Sequence, residues 1–451
     1  MFKDAYDIYE ESQNLFTKDI LLKAAQGENN NFFVRNRKMN HVDVIKYIIS
    51  SIDERNQKIK CLKYNLKRED SMNITNQGIN FQRLKLNPEA LKMVYKDFVR
   101  IVYSKHNYER TLQAKGYYVL AIDGTDLILP TNEETKEIYG GNLDANRNIN
   151  QAMASASCAY DVLNRHIISA TMHPYKTSEI DMATINIKES IELIPNDKKI
   201  FVFDRGYISL KLIITLLKSQ NNFIFRLKKK DYKEEINSMR SKDELITIYM
   251  TKERINSMKH MPYYEEMLTV DHIVLRCVKL TLSSGEEEIL LTNLENTEFT
   301  TEEIAHLYKL RWEIETVYNA LKHKINIENF SGYKPIILEQ DFYACIHLWN
   351  LMQNIILDER REIKDESEEN HIYEMKINDS VAIGVLKEKI IELLYKEDKR
   401  KIFDEIVKAI VKNIEPIRPN RYFERKKKER SPYNKEIARR SRAKRKQRYN
   451  K

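Results

Sequence analysis

The order of the expected secondary-structure elements predicts an α/β fold. Between residues 117 and 228, three strand-like runs are followed by a helix, a strand, a second helix and a last strand. The first three runs are expected to be antiparallel neighbours, and the alternation that follows is typical of strands joined by crossover helices. This is the element order of a ribonuclease H-like core, which we therefore predict for this chain.

Each element of this core has its own sequence signal. The runs YYVLAID (117–123) and KKIFVFD (198–204) are rich in strand-forming residues, and each ends on an acid. Two further strands, ASASCAY and HIISATM, flank a polar turn at Asp161–Arg165. Residues Glu179–Leu193 have helical periodicity, ISLKLIITLLKSQ is the second helix, and NNFIFRLK is the last strand.

The residues before this core are expected to be helical. We place a helical, DNA-binding N-terminal region at 1–110, because DVIKYIISSIDER and NPEALKMVYKDFVRIVY carry apolar residues at helical spacing. Asn76–Gly78 resembles a turn between them. A helix-turn-helix DNA reader is one interpretation, and ordinary helix packing is the interpretation that we favour.

The rest of the chain divides by composition. The first part of the catalytic core spans 111–228, and strand-like runs such as ELITIYM and EEEILLTNL, with a Ser-Ser-Gly turn at 283–285, predict a β-rich insertion. The remaining predicted segments are the insertion at 229–299, the second part of the core at 300–360, a helical C-terminal region at 361–420 and a basic tail at 421–451.

Charge is concentrated in the tail. The 451 residues include 76 Lys or Arg and 67 Asp or Glu, a net charge of +9. Residues 421–451 hold 15 Lys or Arg and 3 Glu, which gives 15 − 3 = +12 and leaves 9 − 12 = −3 for the rest. Basic terminal runs commonly bind nucleic acid, because phosphate contacts release condensed counterions. A solvated tail is the alternative.

Several classes of protein are not expected. The four cysteines lie far apart, without the paired spacing of zinc or redox motifs, which indicates a reducing, cytoplasmic setting. The sequence has neither the ~20-residue apolar stretch of a transmembrane helix nor an apolar core in its first residues, as a signal peptide would have. With no Gly-rich phosphate loop, ATP dependence is not expected.

Three acids, Asp123, Asp204 and Glu315, form the candidate catalytic group. Asp123 and Asp204 each follow a hydrophobic strand, so both can project from one end of a sheet. A capping box, Thr300 with Glu303, opens a long helix predicted from Thr301 to Lys324.

Four polar residues share one face of that long helix. At 100° per residue, Arg311, Glu315 and Lys322 lie about −60°, −20° and −40° from Tyr308, whereas the neighbouring arc is apolar. Converging carboxylates repel one another unless a cation lies between them, and hard divalent cations such as Mg²⁺ prefer oxygen ligands. The pattern therefore indicates metal-dependent phosphodiester cleavage or transfer, with a solvated helix face as the alternative.

Other acids are interpreted differently. Asp126 is expected in a turn beyond the end of the first strand. Glu179 and Asp181 begin a helix, where acids serve capping or interact with the helix dipole. Arg205, beside Asp204, contacts phosphate or pairs with an acid, and we favour phosphate.

The helix sequence LYKLRWEIETVYNALK resembles the catalytic helix of bacterial insertion-sequence DDE transposases. Their motif is Tyr, two residues, Arg, three residues, Glu, six residues, Lys, and Tyr308, Arg311, Glu315 and Lys322 match it without a gap. The resemblance extends to AIDGTDLILP, VFDRGYIS and SGYKPIILEQDFYA, in this order along the chain.

The resemblance implies roles for individual residues. Asp123, Asp204 and Glu315 would be the metal ligands, for two Mg²⁺ ions or Mn²⁺ in their place. DNA phosphates would be bound by Tyr308, Arg311 and Lys322. Trp312 would stack on a flipped base during hairpin formation, or else be a packed residue at the rim.

The resemblance also implies the activity. The chain would bind transposon terminal inverted repeats, hydrolyse the phosphodiester at each end, and join the freed 3′ hydroxyls to target DNA by cut-and-paste transposition. Its partners would be DNA and a second protomer, without ATP or a membrane, in the bacterial cytoplasm at the nucleoid. The alternatives are a metal-dependent nuclease on the same fold and a non-catalytic DNA-binding derivative.

Overall fold

The structure is a computed structural model, and it describes most of the chain. The described residues are 4–35, 38–52, 57–67, 74–144, 146–195, 197–261, 263–282, 285–370 and 373–418. The predicted basic tail at 421–451 and the two serines of the predicted Ser-Ser-Gly turn lie outside them.

Helices dominate both ends of the described chain. They are α1 (Ala5–Gln13), α2 (Asp19–Gln26), α3 (His41–Ser50), α4 (Gln57–Lys67), α5 (Asn76–Arg83), α6 (Glu89–Val102), α7 (Glu133–Tyr139), α8 (Glu179–Leu193), α9 (Leu210–Lys218), α10 (Lys233–Asn237), α11 (Lys252–Asn256), α12 (Tyr264–Met267), α13 (Thr301–Leu310), α14 (Glu313–Ala320), α15 (Pro335–Ile355), α16 (Leu357–Asn370), α17 (Asp379–Tyr395) and α18 (Lys399–Val411). A π-helical turn, Leu321–Ile325, follows α14. None of the helices described is both long and apolar enough to cross a membrane.

In the described part of the chain, nine strands form one mixed sheet at the centre. They are β1 (Tyr117–Ile128), β2 (Gly141–Leu143), β3 (Ile149–Asp161), β4 (His166–Pro174), β5 (Lys198–Phe203), β6 (Asn222–Arg226), β7 (Asp243–Tyr249), β8 (His272–Thr281) and β9 (Glu287–Thr292). The order is β2-β3-β1-β5-β6-β9-β8-β7, and β4 also pairs with β3. A separate pair joins β10 (Met375–Ile377) to β11 (Ile414–Pro416).

The sheet combines parallel and antiparallel strand pairs. Strands β1, β5 and β6 are parallel, whereas β3 runs antiparallel to β1 and β4 antiparallel to β3. Beyond β6, the strands β9, β8 and β7 alternate in direction. The sequence at 229–299 thus supplies three strands that extend the central sheet, together with the short helices α10 to α12. The prediction of a mixed α/β fold is confirmed.

The core of the molecule is continuous from the N-terminal helices to the sheet. Helix α15 is buried on nearly every side and packs against α3, α6 and β4. Its Gln340 donates to the main-chain carbonyls of Arg83 and Leu86, at 2.8 and 2.7 Å. Arg83, itself buried, pairs with Asp341 at 2.7 Å. The N-terminal helices are therefore anchored to the same core as the strands.

Two local predictions are wrong. Asn76–Gly78 is not a turn but the start of α5, because Thr75 accepts a hydrogen bond from the Gly78 amide and caps this helix. Asp126 does not lie in a turn, because β1 continues to Ile128 along the long strand β3.

The predicted long helix from Thr301 to Lys324 is also wrong in part. It begins as expected with the capping box of Thr300 and Glu303. The helix is interrupted between α13 and α14, where the amides of Arg311 and Trp312 donate to the carbonyls three residues before them. This tighter turn takes the place of regular α-helical bonding, and the chain leaves α14 through the π-helical turn.

Candidate active site

Two aspartates lie side by side at one edge of the sheet. Strands β1 and β5 pair in parallel up to Ile122 and Phe203, so Asp123 and Asp204 are the next residues on two adjacent strands. Asp204 ends its strand, whereas Asp123 remains paired with Cys158 of β3. Strand register alone therefore brings the two carboxylates to the same level of the sheet.

The environment of Asp123 favours binding of a cation. Its Oδ1 accepts hydrogen bonds from the Gly124 amide at 2.9 Å and the Tyr207 hydroxyl at 3.4 Å. Within the described ranges, no group donates to Oδ2. Burial raises the pKa of Asp123 to about 6, an effect that the Gly124 hydrogen bond and the nearby Arg311 charge partly oppose.

The broken helix supplies the third acid and a buried cation. Arg311, 3% exposed, lies at the break, and its Nη2 is 3.4 Å from Oε1 of Glu315. The Tyr308 hydroxyl donates to Oδ1 of Asp204 at 3.4 Å. Burial disfavours the Arg311 charge, but Tyr308 and both aspartates outweigh it, so the pKa of Arg311 is raised. Arg311 thus interacts electrostatically with all three predicted acids.

The other predicted DNA-binding residues are placed differently. Trp312 is 49% exposed and lies against Arg311, whose guanidinium carbon is 5.2 Å from the Trp312 ring centre. Arg205 is exposed in the segment after β5. Lys322 lies in the π-helical turn after α14 and contacts a later residue of β1. Its Nζ donates to the Asp126 carbonyl at 2.6 Å and is 3.9 Å from Glu328.

Sequence reasoning missed several polar residues at this edge of the sheet. Glu179 was expected to serve capping or the helix dipole; it lies in the first turn of α8, which Ser178 caps, and its charge also acts on Asp123. On the other side, Arg226 pairs with Glu288 at 3.1 Å. Burial raises the pKa of Glu288, which interacts with Arg226, Arg311 and Asp204. The sequence signal for these two residues was weak. Arg226 is the last residue of β6, a position comparable to that of Asp204, but Glu288 lies near the start of β9.

The donor set of the site suits a hard divalent cation. Its candidate ligands are carboxylate oxygens, which Mg²⁺ and Mn²⁺ prefer. In the part of the chain that the structure describes, no three or more His, Cys, Asp or Glu side chains are grouped as a metal site. Glu315 is directed to Arg311. Asp123 and Asp204 have the donor chemistry for such a cation, and Glu315 would have to turn from Arg311 toward it.

A family model matches the part of the chain that contains this candidate site. Residues 114–351 match the family model described as the transposase DDE domain, and this range contains Asp123, Asp204 and Glu315. The chain is 23% identical over 275 residues to the transposase InsG of insertion sequence element IS4 from Escherichia coli K12. That alignment covers 60% of this chain and 59% of InsG.

Further similarities are shorter or weaker. The chain is 28% identical over 79 residues to the transposase of insertion sequence element IS421 from Escherichia coli, which covers 18% of this chain and 20% of the relative. A structure of the piggyBac transposase synaptic complex with hairpin DNA aligns with a TM-score of 0.41 and 12% identity, over 94% of this chain and 88% of that one.

The extent of the family match decides the classification. The DDE domain model covers more than half of the 451 residues, and it includes every strand from β1 to β9. The chain spans about three fifths of the length of the IS4 transposase. The chain therefore belongs to the transposase DDE domain family, among the relatives of bacterial insertion-sequence transposases.

Proposed function

We propose that the protein is a DNA transposase of the cut-and-paste type. It would bind the terminal inverted repeats, hydrolyse the phosphodiester at each end, and join the 3′ hydroxyls to target DNA. The observation that carries this proposal is the pair Asp123 and Asp204, abreast on parallel strands with Arg311 and Glu315 beside them, inside the family-matched region.

A ribonuclease H-like core is part of the proposal. It is supported by the order β4-β3-β1-β5-β6, with three antiparallel strands followed by two strands parallel to β1. Helix α8 connects β4 to β5 and α9 connects β5 to β6, as the predicted element order requires. In this arrangement, Asp123 within β1 and Asp204 after β5 lie at the same level of two adjacent strands.

The proposed site would hold a divalent cation through Asp123, Asp204 and Glu315. When bound, two Mg²⁺ ions, or Mn²⁺ in their place, would activate the attacking oxygen and stabilise the leaving oxygen at phosphorus. Arg311 is buried and positively charged, so it can contact a phosphate once Glu315 turns away from it. Tyr308, Lys322 and Arg205 are proposed to contact the DNA backbone on either side.

The regions outside the core are assigned roles in the same proposal. The N-terminal region 1–110 would recognise the transposon end, and the tail 421–451 would add affinity through phosphate contacts. The insertion at 229–299 lies beside the site through β9, which carries Glu288. Two protomers would hold the two ends, and the half-exposed Trp312 would stack on a flipped base.

A strand-transfer assay tests the proposal. A precut duplex with the element's terminal repeat and a 3′ hydroxyl is incubated with plasmid and Mg²⁺. We expect joined product from the wild type, none from Asp204→Asn, and normal joining from Asp181→Asn, an exposed acid paired with Lys211.

The other outcomes separate the alternatives. Cleavage of an uncut repeat without any joining would support a nuclease on the same fold. Binding of the repeat without either reaction would support a non-catalytic DNA-binding derivative. Joining by Asp204→Asn would show that the acid is wrongly assigned.

A further inference from the structure

The main-chain carbonyl of Asp123 is held by two side-chain hydroxyl groups. The Tyr318 hydroxyl donates to it at 2.7 Å, and the Ser157 hydroxyl donates to it at 3.0 Å. Pairing between β1 and β5 ends one residue earlier, at Ile122. The position of the Asp123 backbone therefore depends on side chains as well as on strand register.

The two donors come from different parts of the fold. Ser157 belongs to β3 and is fixed from behind, because Asn186 of α8 donates to its hydroxyl at 2.7 Å. Ser169 of β4 donates in turn to Asn186 at 2.9 Å, and all three residues are buried. The Ser157 donor is thus held by the sheet and by the helix packed on it.

Tyr318 belongs to the helix that carries Glu315. It lies three residues after Glu315 in α14, so the two side chains are on neighbouring positions of one helix face. Its hydroxyl spans from this helix to β1. The hydrogen bond from Lys322 to the Asp126 carbonyl also joins this helical segment to β1.

We infer that Tyr318 is a positioning residue that sets the separation between Asp123 and Glu315. The inference rests on the proposed function, because it is the metal-binding role of these two acids that makes their separation matter. Helix α13–α14 is interrupted next to Glu315, so the helix alone does not fix the height of this acid above the sheet. The hydrogen bond of Tyr318 to the Asp123 carbonyl supplies that constraint.

The test compares Tyr318→Phe with Tyr9→Phe. Each substitution removes one tyrosine hydroxyl that donates to a main-chain carbonyl, and Tyr9 donates to Leu393 at 2.9 Å, in the helical part of the molecule. The measured quantity is the affinity of the full chain for Mn²⁺, followed by the spin-resonance signal of free Mn²⁺. We expect Tyr318→Phe to weaken binding about 5- to 10-fold, the factor of one lost hydrogen bond, and Tyr9→Phe to leave it unchanged.

Cleavage adds a second readout. For Tyr318→Phe we expect the Mg²⁺ concentration of half-maximal cleavage to rise by a similar factor, with unchanged binding of the terminal repeat in the absence of metal. A purely structural role would lower the stability of both variants alike without a shift in metal dependence. Equal Mn²⁺ affinity in Tyr318→Phe and wild type would overturn the inference.

Two further outcomes keep the inference separate from the proposed function. If the wild type binds Mn²⁺ but cleaves no repeat, the proposed function fails, and the Mn²⁺ comparison still decides the role of Tyr318. If Tyr318→Phe does not fold, Ser157→Ala removes the other donor to the same carbonyl. That variant is expected to weaken Mn²⁺ binding in the same direction, and unchanged binding would count against the inference.

Discussion

The aspartates and the glutamate of the proposed site are positioned by different means. Asp123 and Asp204 follow from the pairing of β1 with β5, so main-chain hydrogen bonds set their relative height. Glu315 lies on an interrupted helix and is tied to the site through side chains, at 3.4 Å to Arg311 and through Tyr318. We therefore expect single side-chain changes to displace the helix more readily than the sheet residues.

The largest expected loss of stability comes from a substitution in the strand that precedes Asp204. Phe203 is fully buried before Asp204, and its ring stacks on Phe225 with centres 4.4 Å apart. Phe203→Ala should lower the free energy of unfolding by about 3–5 kcal/mol, because it leaves a cavity under the site. Urea unfolding measures this loss. The control Leu245→Ala, at a 65% exposed position, should change it little, and equal losses would contradict the comparison.

Asp123→Asn should stabilise the protein at pH 7.5. Burial raises the folded-state pKa of Asp123 from 3.8 to about 6, so wild type loses stability as pH rises through this interval. Asn carries no charge, so the free energy of unfolding of the variant should exceed that of wild type by about 1–3 kcal/mol at pH 7.5, with little difference near pH 4. Thermal unfolding at both pH values tests this.

Its control is Asp126→Asn, which replaces an exposed acid on the same strand. This change should give a much smaller gain, because water already solvates the carboxylate. A gain for Asp123→Asn that is the same at both pH values would show that desolvation is not its cause.

Arg311→Leu should move the pH profile of cleavage upward. The Arg311 charge lowers the pKa of Asp123, so its removal keeps this carboxyl protonated to a higher pH. The loss of the buried partner of Glu315 should also cost about 1–3 kcal/mol of stability at pH 7.5. Cleavage rates from pH 5.5 to 9 measure the shift. Arg311→Lys keeps a charge and should shift less; a profile that stays in place for Leu would refute this role.

The smallest effect on stability is expected for Trp312→Ala. Its side chain is half-exposed and packs on the Arg311 guanidinium, so the free energy of unfolding should fall by about 1 kcal/mol or less. Hairpin formation at the excised end should be lost, and Trp312→Phe should restore part of it because an aromatic ring remains. Normal hairpins from Trp312→Ala would remove the proposed stacking role.

The sequence predicted the sheet side of the site better than the helix side. Hydrophobic runs of strand-forming residues located β1 and β5, and each run ends on an acid, although β1 itself continues past Asp123 to Ile128. The helix break was not predictable, because Arg311 and Trp312 are neither Gly nor Pro and their helical spacing is regular. Arg311, at the break, interacts with distant residues such as Asp204, which no local sequence pattern records.

Contacts distant in sequence explain the other misses as well. Nothing local distinguishes Glu179 from an ordinary first-turn acid, and only the packing of α8 on β1 and β3 brings its charge to Asp123. Glu288 comes to the site because β9 pairs with β6 in a sheet that local patterns described as a separate insertion. The Tyr318 hydrogen bond likewise joins residues 195 positions apart.

The most direct test of the account is metal-dependent cleavage of the element's own terminal repeat by Glu315→Gln and Glu313→Gln. Both substitutions change an acid in the first turn of α14, but the charge of Glu313 acts on the buried Arg360. With Mg²⁺, we expect nicking at the repeat boundary by wild type and by Glu313→Gln, and none by Glu315→Gln, while all three bind the repeat. Undiminished nicking by Glu315→Gln would contradict the assignment of this acid to the catalytic site.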